Sequence, residues 1–394
     1  MTSRAAPTRY DVVVIGGGMA GASAAHELSP DHSVLLVEME STLGHHATGR
    51  SAAMYLETYG GPEVRALTLG SRPFLEDPPE GFDRPLMSPR PLLQVARPGR
   101  GEVIDALHEQ VRHLVPAARV VDAVAARLLC PILRPGAVAK GLLEPDAMEL
   151  DVHAIHQGYL RGLRARGGTV VRSTRVTHLE RSGDTWVVHT AAGPAARGRV
   201  VVNAAGAWAD EVAVAAGAAP VGLTARRRTV FTIGAGHVTG SDRLPLLYDV
   251  DESFYVKPEG RQLLCSPADR TPVTPGDAKP DTVQIARALD EIRAFTTVDA
   301  RSVLTSWAGL RTFAPDDQFV IGFDPEAPGL FWLAGQGGYG IQTAPATARL
   351  AAALVRGQAA PDDLVQLGLH AAAVSPARFH ERAAAPSPPG RRDG

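Results

Sequence analysis

The chain has 394 residues, 45% hydrophobic and 21% charged, with a formal net charge of -2. That length supports a large core and two domains, or one elaborated domain, while near-neutral charge offers no basic footprint for nucleic acid or an anionic membrane. The only cysteines, Cys130 and Cys265, show neither CxxC nor zinc-ligand spacing, which argues against a disulfide framework and fits a reducing compartment.

The opening "MTSRAAPTRYD" carries no apolar run of the kind a secretion signal has. No apolar stretch approaches the ~18 residues of a membrane span. A cytoplasmic protein is therefore expected. Residues 11–30, "DVVVIGGGMAGASAAHELSP", predict a strand, a glycine turn and a helix starting near Met19. The unbroken apolar run Val12 to Ile15 suits a parallel strand buried on both faces. "SVLLVEME" follows as a second strand ending at Glu38, completing a βαβ unit. The stretch "HHATGRSAAMYLETYGG" (45–61) then breaks all periodicity.

Further on, 151–168 reads as a helix with a glycine stop, 169–172 as a strand, and 175–193 as a hairpin turning at Ser182–Asp184. "GRVVVNAAGAWADEVAVAAG" (198–217) and "LFWLAGQGGYGIQTAPATARLAAALVRG" (330–357) both repeat the order strand, glycine turn, helix. Between them, roughly 85–143 and 221–315 read as less regular, β-rich insertions. The tail from 375 to 394, rich in Pro, Ala and charge, is expected to lack order.

Gly16, Gly18 and Gly21 form GxGxxG in strand–turn–helix context. Gly16 permits the tight turn, Gly18 lets the backbone approach a pyrophosphate, and Gly21 lets helix and strand pack closely. The helix N-terminus offers N–H groups to phosphate, and Glu38 is placed to accept ribose hydroxyls. A single fingerprint and the lack of a cysteine pair argue against a reductase that binds two dinucleotides. His45–His46 and His153/His156 lack a completing ligand set, so no metal is expected. Trp208, Trp307 and Trp332 read as core rather than stacking platforms, with Trp208 also falling in a cofactor-side motif.

Taken together, "VVVIGGGMAGASAAHELS", "ATGRSAA", "SPRP", "HQGYLRGLRARGG", "VVNAAGAWAD", "DESFYVKP", "SWAGLRTF" and "GQGGYGIQT" resemble the D-amino-acid oxidase/glycine oxidase superfamily of FAD-dependent oxidoreductases. Within it the nearest resemblance is to bacterial D-arginine dehydrogenase. The resemblance implies an α/β (α+β) fold with a Rossmann-like FAD-binding domain of glutathione-reductase type, built from 8–84, 144–220 and 316–372. A β-rich substrate-binding domain would come from 85–143 and 221–315. FAD would be held non-covalently by Gly16, Gly18, Met19, Ala20, Gly21 and Glu38; by Thr48, Gly49, Arg50, Ser51 and Ala52; and by Val176, Ala205, Gly206 and Trp208. Gly337, Gly338, Tyr339, Gly340, Ile341 and Gln342 would complete the flavin side.

The resemblance further implies that Arg228 and Arg311 grip a substrate carboxylate, that Tyr255 fixes the same end and that Tyr59 acts as a lid. A guanidinium fork suits bidentate carboxylate binding, although Arg226 or Arg227 of the run 226–228 competes with Arg228 for the inward position. Met54, Leu92, Leu246, Tyr248, Gly338 and Gln342 would wall the pocket, with Leu56 beside them. Two positions depart from the resemblance. Leu92 stands where D-arginine dehydrogenase has a glutamate that pairs with the substrate guanidinium, and Met54 stands where it has a histidine. A guanidinium against Leu92 would be desolvated and unpaired, unless Glu57 supplied the anion.

The expectation is oxidative deamination of a neutral, apolar D-amino acid, by hydride transfer from Cα to flavin N5. The imino acid so formed hydrolyses to a 2-oxo acid and ammonia, and electrons pass to oxygen or a quinone. Oxidation of a secondary amine, an imino acid or a 2-hydroxy acid, a specialised biosynthetic amine oxidase, and a non-catalytic FAD scaffold are the alternatives.

Overall fold

The computed structural model describes residues 7–236 and 241–384. Two eight-stranded sheets and one three-stranded sheet organise it. In the first sheet, strands Val34–Val37, Thr8–Ile15, Gly193–Asn203 and Leu330–Ala334 run parallel side by side. Thr169–Val171 extends it beyond Val34–Val37. The hairpin Val176–Ser182/Thr185–Thr190 flanks Gly193–Asn203, and Val320–Phe323 closes on Leu330–Ala334.

Period-two alternation explains the apolar run of the first strand. Val12 and Val14 join one buried cluster with Leu36, Val202 and the helix Ala344–Val355. Val13 and Ile15 join another with Leu35, Val37 and Val201. Every position of the run faces a core, so none is polar. The helix Met19–Leu28 packs against Ala344–Val355 and Val152–Ala165, and its small Ala and Gly residues allow that close approach.

The second sheet is ordered Val303–Phe313, Thr224–Gly234, Gln262–Ser266, Tyr255–Glu259, Leu246–Asp249, Leu92–Ala96, Lys140–Glu144 and Arg119–Asp122. One face packs on Ile285, Ala288 and Ile292 of the helix Thr282–Phe295 and on Ala126, with both cysteines in the same cluster. Burial pushes the Cys130 thiol up to about 12, so both cysteines act as packing groups. The opposite face carries Leu92, Leu246, Tyr255, Val230 and Leu264 and looks toward the functional cavity. Met54–Tyr55, Met148–Leu150 and Met87–Pro89 form the small third sheet.

Among the described residues, the strands of the first sheet fall within 8–84, 144–220 and 316–372. Those of the second fall within 85–143 and 221–315, except that Glu144 ends one of them. The insertions expected to be β-rich also contain helices Gly101–Val111, Ala123–Leu129 and Thr282–Phe295. The tail departs from expectation, because Ala377–Ala384 is a helix. Arg378 pairs with Asp316 through Nε at 2.8 Å and Nη2 at 3.1 Å, and Phe379 packs onto the first sheet's core. These contacts outweigh the polar composition. Residues 385–394 of that tail, and Met1–Ala6 of the amino terminus, lie outside the described residues. No helix among the described residues is long and apolar enough to cross a membrane.

Candidate active site

One cavity of about 700 Å³ runs between the two large sheets. At its first-sheet end, Gly16 has a positive φ of 109°, and a Cβ there would meet Ala204 O at 2.3 Å, so only glycine turns the chain here. A Cβ on Gly21 would meet Gly16 O at 1.9 Å, which is the close helix–strand contact the fingerprint requires. A Cβ on Gly18, by contrast, meets only Thr48 Oγ1, at 3.3 Å. That position opens onto the cavity, with room for a pyrophosphate. Thr48 Oγ1 accepts the Met19 N–H at 2.9 Å, and His156 Nε2 meets Gly17 O at 3.0 Å.

Glu38 lines the cavity. Its Oε2 accepts the Gly17 N–H at 2.6 Å and its Oε1 the Glu40 N–H at 2.8 Å, which fixes the carboxylate beside the glycine turn. Ala20, Ser51, Ala52, Val176, Ala205, Gly206 and Trp208 line the same space, and a side chain on Gly206 would meet nothing within 4 Å. Trp208 is thus a cavity wall against His46 at 4.6 Å rather than core. Trp332 is fully buried, and Trp307 donates to Arg50 O at 3.2 Å.

Arg50 ties the cofactor-side turn to the second sheet. Its Nη1 donates to Ala308 O at 2.9 Å and its Nη2 to Asp277 at 2.6 Å. Nη2 also faces His45 Nε2 at 3.4 Å. The possible metal ligands Glu40, His45 and His46 come within 4.8 Å of one another, and His46 Nε2 meets Glu40 Oε1 at 2.9 Å.

The substrate end rests on two paired strands. In the register of Thr224–Gly234 with Val303–Phe313, Arg226 faces Arg311 and Arg228 faces Gly309. The three basic residues have different fates. Arg226 pairs with Asp317 at 3.1 Å and lies over Phe313. Arg227 points to the other face and pairs with Asp269 at 3.2 Å and Asp281 at 2.5 Å. Arg228 alone of the three reaches the cavity, and its Nε and Nη2 are buried without a hydrogen-bond partner. A buried cation with unused donors calls for an anionic ligand.

Arg311 Nη2 donates to Tyr59 Oη at 3.0 Å. Burial alone would raise the Tyr59 phenol, but the Arg311 and Arg228 charges and the Arg311 hydrogen bond outweigh it and hold the pKa below its ordinary value. Gly338 is dictated by Arg311, since a Cβ there would lie 1.8 Å from Nη2. Tyr255 and Tyr248 face each other across paired strands with rings stacked at 6.1 Å. The Tyr248 hydroxyl is buried and unpartnered, and burial pushes its pKa up. Leu92 lies beside Leu246 in register; with Met54, Leu56 and Val230 they form an apolar stretch of the wall.

Gly49 and Tyr339 do not line the cavity, nor does Gly21, which keeps the helix–strand contact expected of it. Gly49 closes a turn through its N–H to Gly44 O at 2.7 Å, and Tyr339 packs on Tyr59 at 4.9 Å. Gln342 touches the cavity, but its amide is consumed by Leu56 and Thr68. Glu57 does not line the cavity; it is held by Arg72 at 2.7 Å and the Tyr55 hydroxyl at 3.0 Å. It supplies no counter-charge for a cationic substrate. Gly337, Gly340 and Ile341 line the cavity. Sequence reasoning missed Arg65, Gln94, Glu252 and Lys257, which also line it. Strand alternation from Leu92 to Gln94 and from Tyr255 to Lys257 was the available signal for two of them.

The family model described as FAD dependent oxidoreductase (DAO) matches residues 11–354. The chain belongs to this family. It is therefore an FAD-dependent oxidoreductase, with a discontinuous Rossmann-like FAD-binding domain and a separate β-rich domain. Among curated relatives, FAD-dependent oxidoreductase domain-containing protein 1 of Bos taurus is 26% identical, over 90% of this chain and 82% of that protein. Glycine oxidase of Bacillus licheniformis is 25% identical, over 89% and 94%. Among solved structures, L-proline dehydrogenase from P. horikoshii shares the fold with a TM-score of 0.80 and 18% identity, over 96% of this chain and 99% of that one.

Proposed function

We propose that this chain oxidises the carbon–nitrogen bond of a small amino or imino acid whose side chain is neutral and apolar. The observation that carries this reading is Arg228, buried with two unpartnered donor nitrogens in the cavity that also holds Arg311. Two guanidiniums bind a carboxylate through charge-assisted forks. Tyr255 and Tyr59 line the same space, and Gly338 leaves the room Arg311 needs.

FAD, when bound along the glycine turn, supplies the two-electron acceptor. The chain's own contribution is positional: the clamp fixes one end of the substrate and the wall of Met54, Leu56, Leu92 and Leu246 receives the other. A carboxylate fixed at one end and a shaped wall at the other orient the carbon between them, so orientation and electrostatics carry the rate. The clamp is shared with the resemblance to D-arginine dehydrogenase, while the side-chain wall departs from it, which supports a neutral, apolar D-amino acid over D-arginine. Similarity to glycine oxidase and to L-proline dehydrogenase supports the wider class of primary and secondary amines next to a carboxylate, so N-substituted and cyclic amino acids belong in the same test.

That test is anaerobic bleaching of the FAD-loaded protein by D- and L-amino acids, sarcosine, D- and L-proline and 2-hydroxy acids. Bleaching by apolar amino or imino acids is expected. Bleaching only by 2-hydroxy acids, or by D-arginine ahead of D-leucine, D-methionine and D-phenylalanine, would overturn the reading.

A further inference from the structure

Behind the clamp lies a buried acid that does not itself line the cavity. Glu144, 1% exposed, ends the strand Lys140–Glu144 directly across from Leu92. Its Oε1 accepts the Glu57 N–H at 2.6 Å. Its Oε2 accepts the Thr58 hydroxyl at 2.5 Å and, at 3.4 Å, the Thr58 N–H. One carboxylate thus takes donors from two consecutive residues. Their segment begins at Leu56, a pocket wall pinned by Gln342 on both its N–H and its carbonyl at 3.2 Å. It ends at Tyr59, whose hydroxyl meets Arg311.

We propose that Glu144 is a positioning residue for substrate binding, fixing the Glu57–Thr58 backbone so that Tyr59 reaches Arg311 and Leu56 closes the side-chain wall. The proposal rests on the functional reading above only in treating Arg311 and Tyr59 as the carboxylate end of the site.

Burying a carboxylate costs several kcal/mol unless its acceptors are used, and here both oxygens are. The charged and titratable groups facing Glu144 are few. Glu57 is held by Arg72 and Tyr55, and Arg65, on the helix Pro62–Glu76, has an unpartnered Nε. Leu92, from the opposing strand, is apolar. Burial first, with the Glu57 charge adding to it, pushes Glu144 up to about 7 against the pull of its hydrogen bonds. Ionised, the group accepts all three donors. Protonated, it has its own hydrogen to place, and the Thr58 hydroxyl must turn from donor to acceptor. Substrate affinity should therefore strengthen as pH rises through about 7.

The experiment compares wild type, Glu144→Ala, Glu144→Gln and Thr58→Val as FAD-loaded holoenzymes. Amide hydrogen exchange over 56–61 is read without substrate. Anaerobic reduction by D-leucine and flavin spectral shifts with benzoate, a simple carboxylate probe, are read across pH. Glu144→Ala should speed exchange in that segment and lower kcat/KM by about 10–10²-fold, mostly through KM. Glu144→Gln, an isostere of the protonated acid whose amide accepts from Glu57 and donates to Thr58, should hold the affinity of low-pH wild type at every pH, above that of Glu144→Ala, and so lose the inflection near neutral pH. Thr58→Val should move exchange in the same direction as Glu144→Ala, by less, and it carries the test if Glu144→Ala does not load FAD. Unchanged exchange in these variants, or faster exchange with unaltered KM and benzoate affinity, overturns the proposal. If wild type oxidises no amino acid, the functional reading fails separately, and exchange with benzoate binding still decides the role of Glu144.

Discussion

Replacing Arg228 with methionine should move activity and ligand-free stability in opposite directions. The side chain is 8% exposed, and its Nε and Nη2 have no partner. A buried polar group left unpaired costs about 1–3 kcal/mol, and methionine occupies much of the same space without that cost. The FAD-loaded, substrate-free variant should therefore be more stable by about 1–3 kcal/mol. Substrate binding should suffer, because each hydrogen bond to a charged partner contributes about 1.5–3 kcal/mol. With Arg311 still in place, a loss of about 3–4 kcal/mol corresponds to roughly 10²–10³-fold in kcat/KM. Stopped-flow flavin reduction under anaerobic conditions measures the second effect, and thermal unfolding of the holoenzyme measures the first. Wild-type kcat/KM in the variant, or a lower melting temperature with FAD retained, would refute the reasoning.

Other substitutions test other parts of the site. Gly338→Ala places a methyl 1.8 Å from Arg311 Nη2, so FAD content should persist while kcat/KM falls at least about 10²-fold, the cost of a misplacement near 1 Å. Tyr59→Phe removes the hydrogen bond to Arg311 and should raise KM by about tenfold, from roughly 1–1.5 kcal/mol. Because the Tyr59 pKa is held below its ordinary value, rising pH turns it into a phenolate that competes with the substrate carboxylate for Arg311. The wild-type kcat/KM profile should accordingly fall on its alkaline side, and Tyr59→Phe should lack that limb. Leu92→Glu should improve D-arginine or D-lysine relative to D-leucine. Glu144 lies directly across the strand pair, so the new acid should ionise above the ordinary carboxylate range and the gain should grow with pH; a D-arginine preference that is flat with pH would contradict this.

Much of the fold was legible in the sequence because local pattern and tertiary role coincide. Val12–Ile15 is apolar at every position since both faces are covered, and Gly16, Gly18 and Gly21 sit where backbone contacts leave no room or where the cavity opens. The identity of the inward arginine was not legible. Arg226, Arg227 and Arg228 are chemically alike, and the choice is made by Asp317, Asp269 and Asp281, distant in sequence. The glycine-rich turn 335–343 was legible as a cavity edge but not residue by residue, and Tyr339 turned out to pack against Tyr59. Glu57 read as a possible pocket anion because strand register past Met54 is not written locally; its partner Arg72 lies a helix away. Glu144 escaped notice for the same reason, since its partners are 86 and 87 residues distant.

The central claim is that a carboxylate clamp and an apolar wall act on one substrate. It is tested most directly by anaerobic flavin reduction with three matched compounds: D-leucine, the amine that lacks its carboxylate, and D-arginine. Fast reduction by D-leucine with little by the other two is the predicted result. Equal reduction by the decarboxylated amine, or faster reduction by D-arginine, would contradict it.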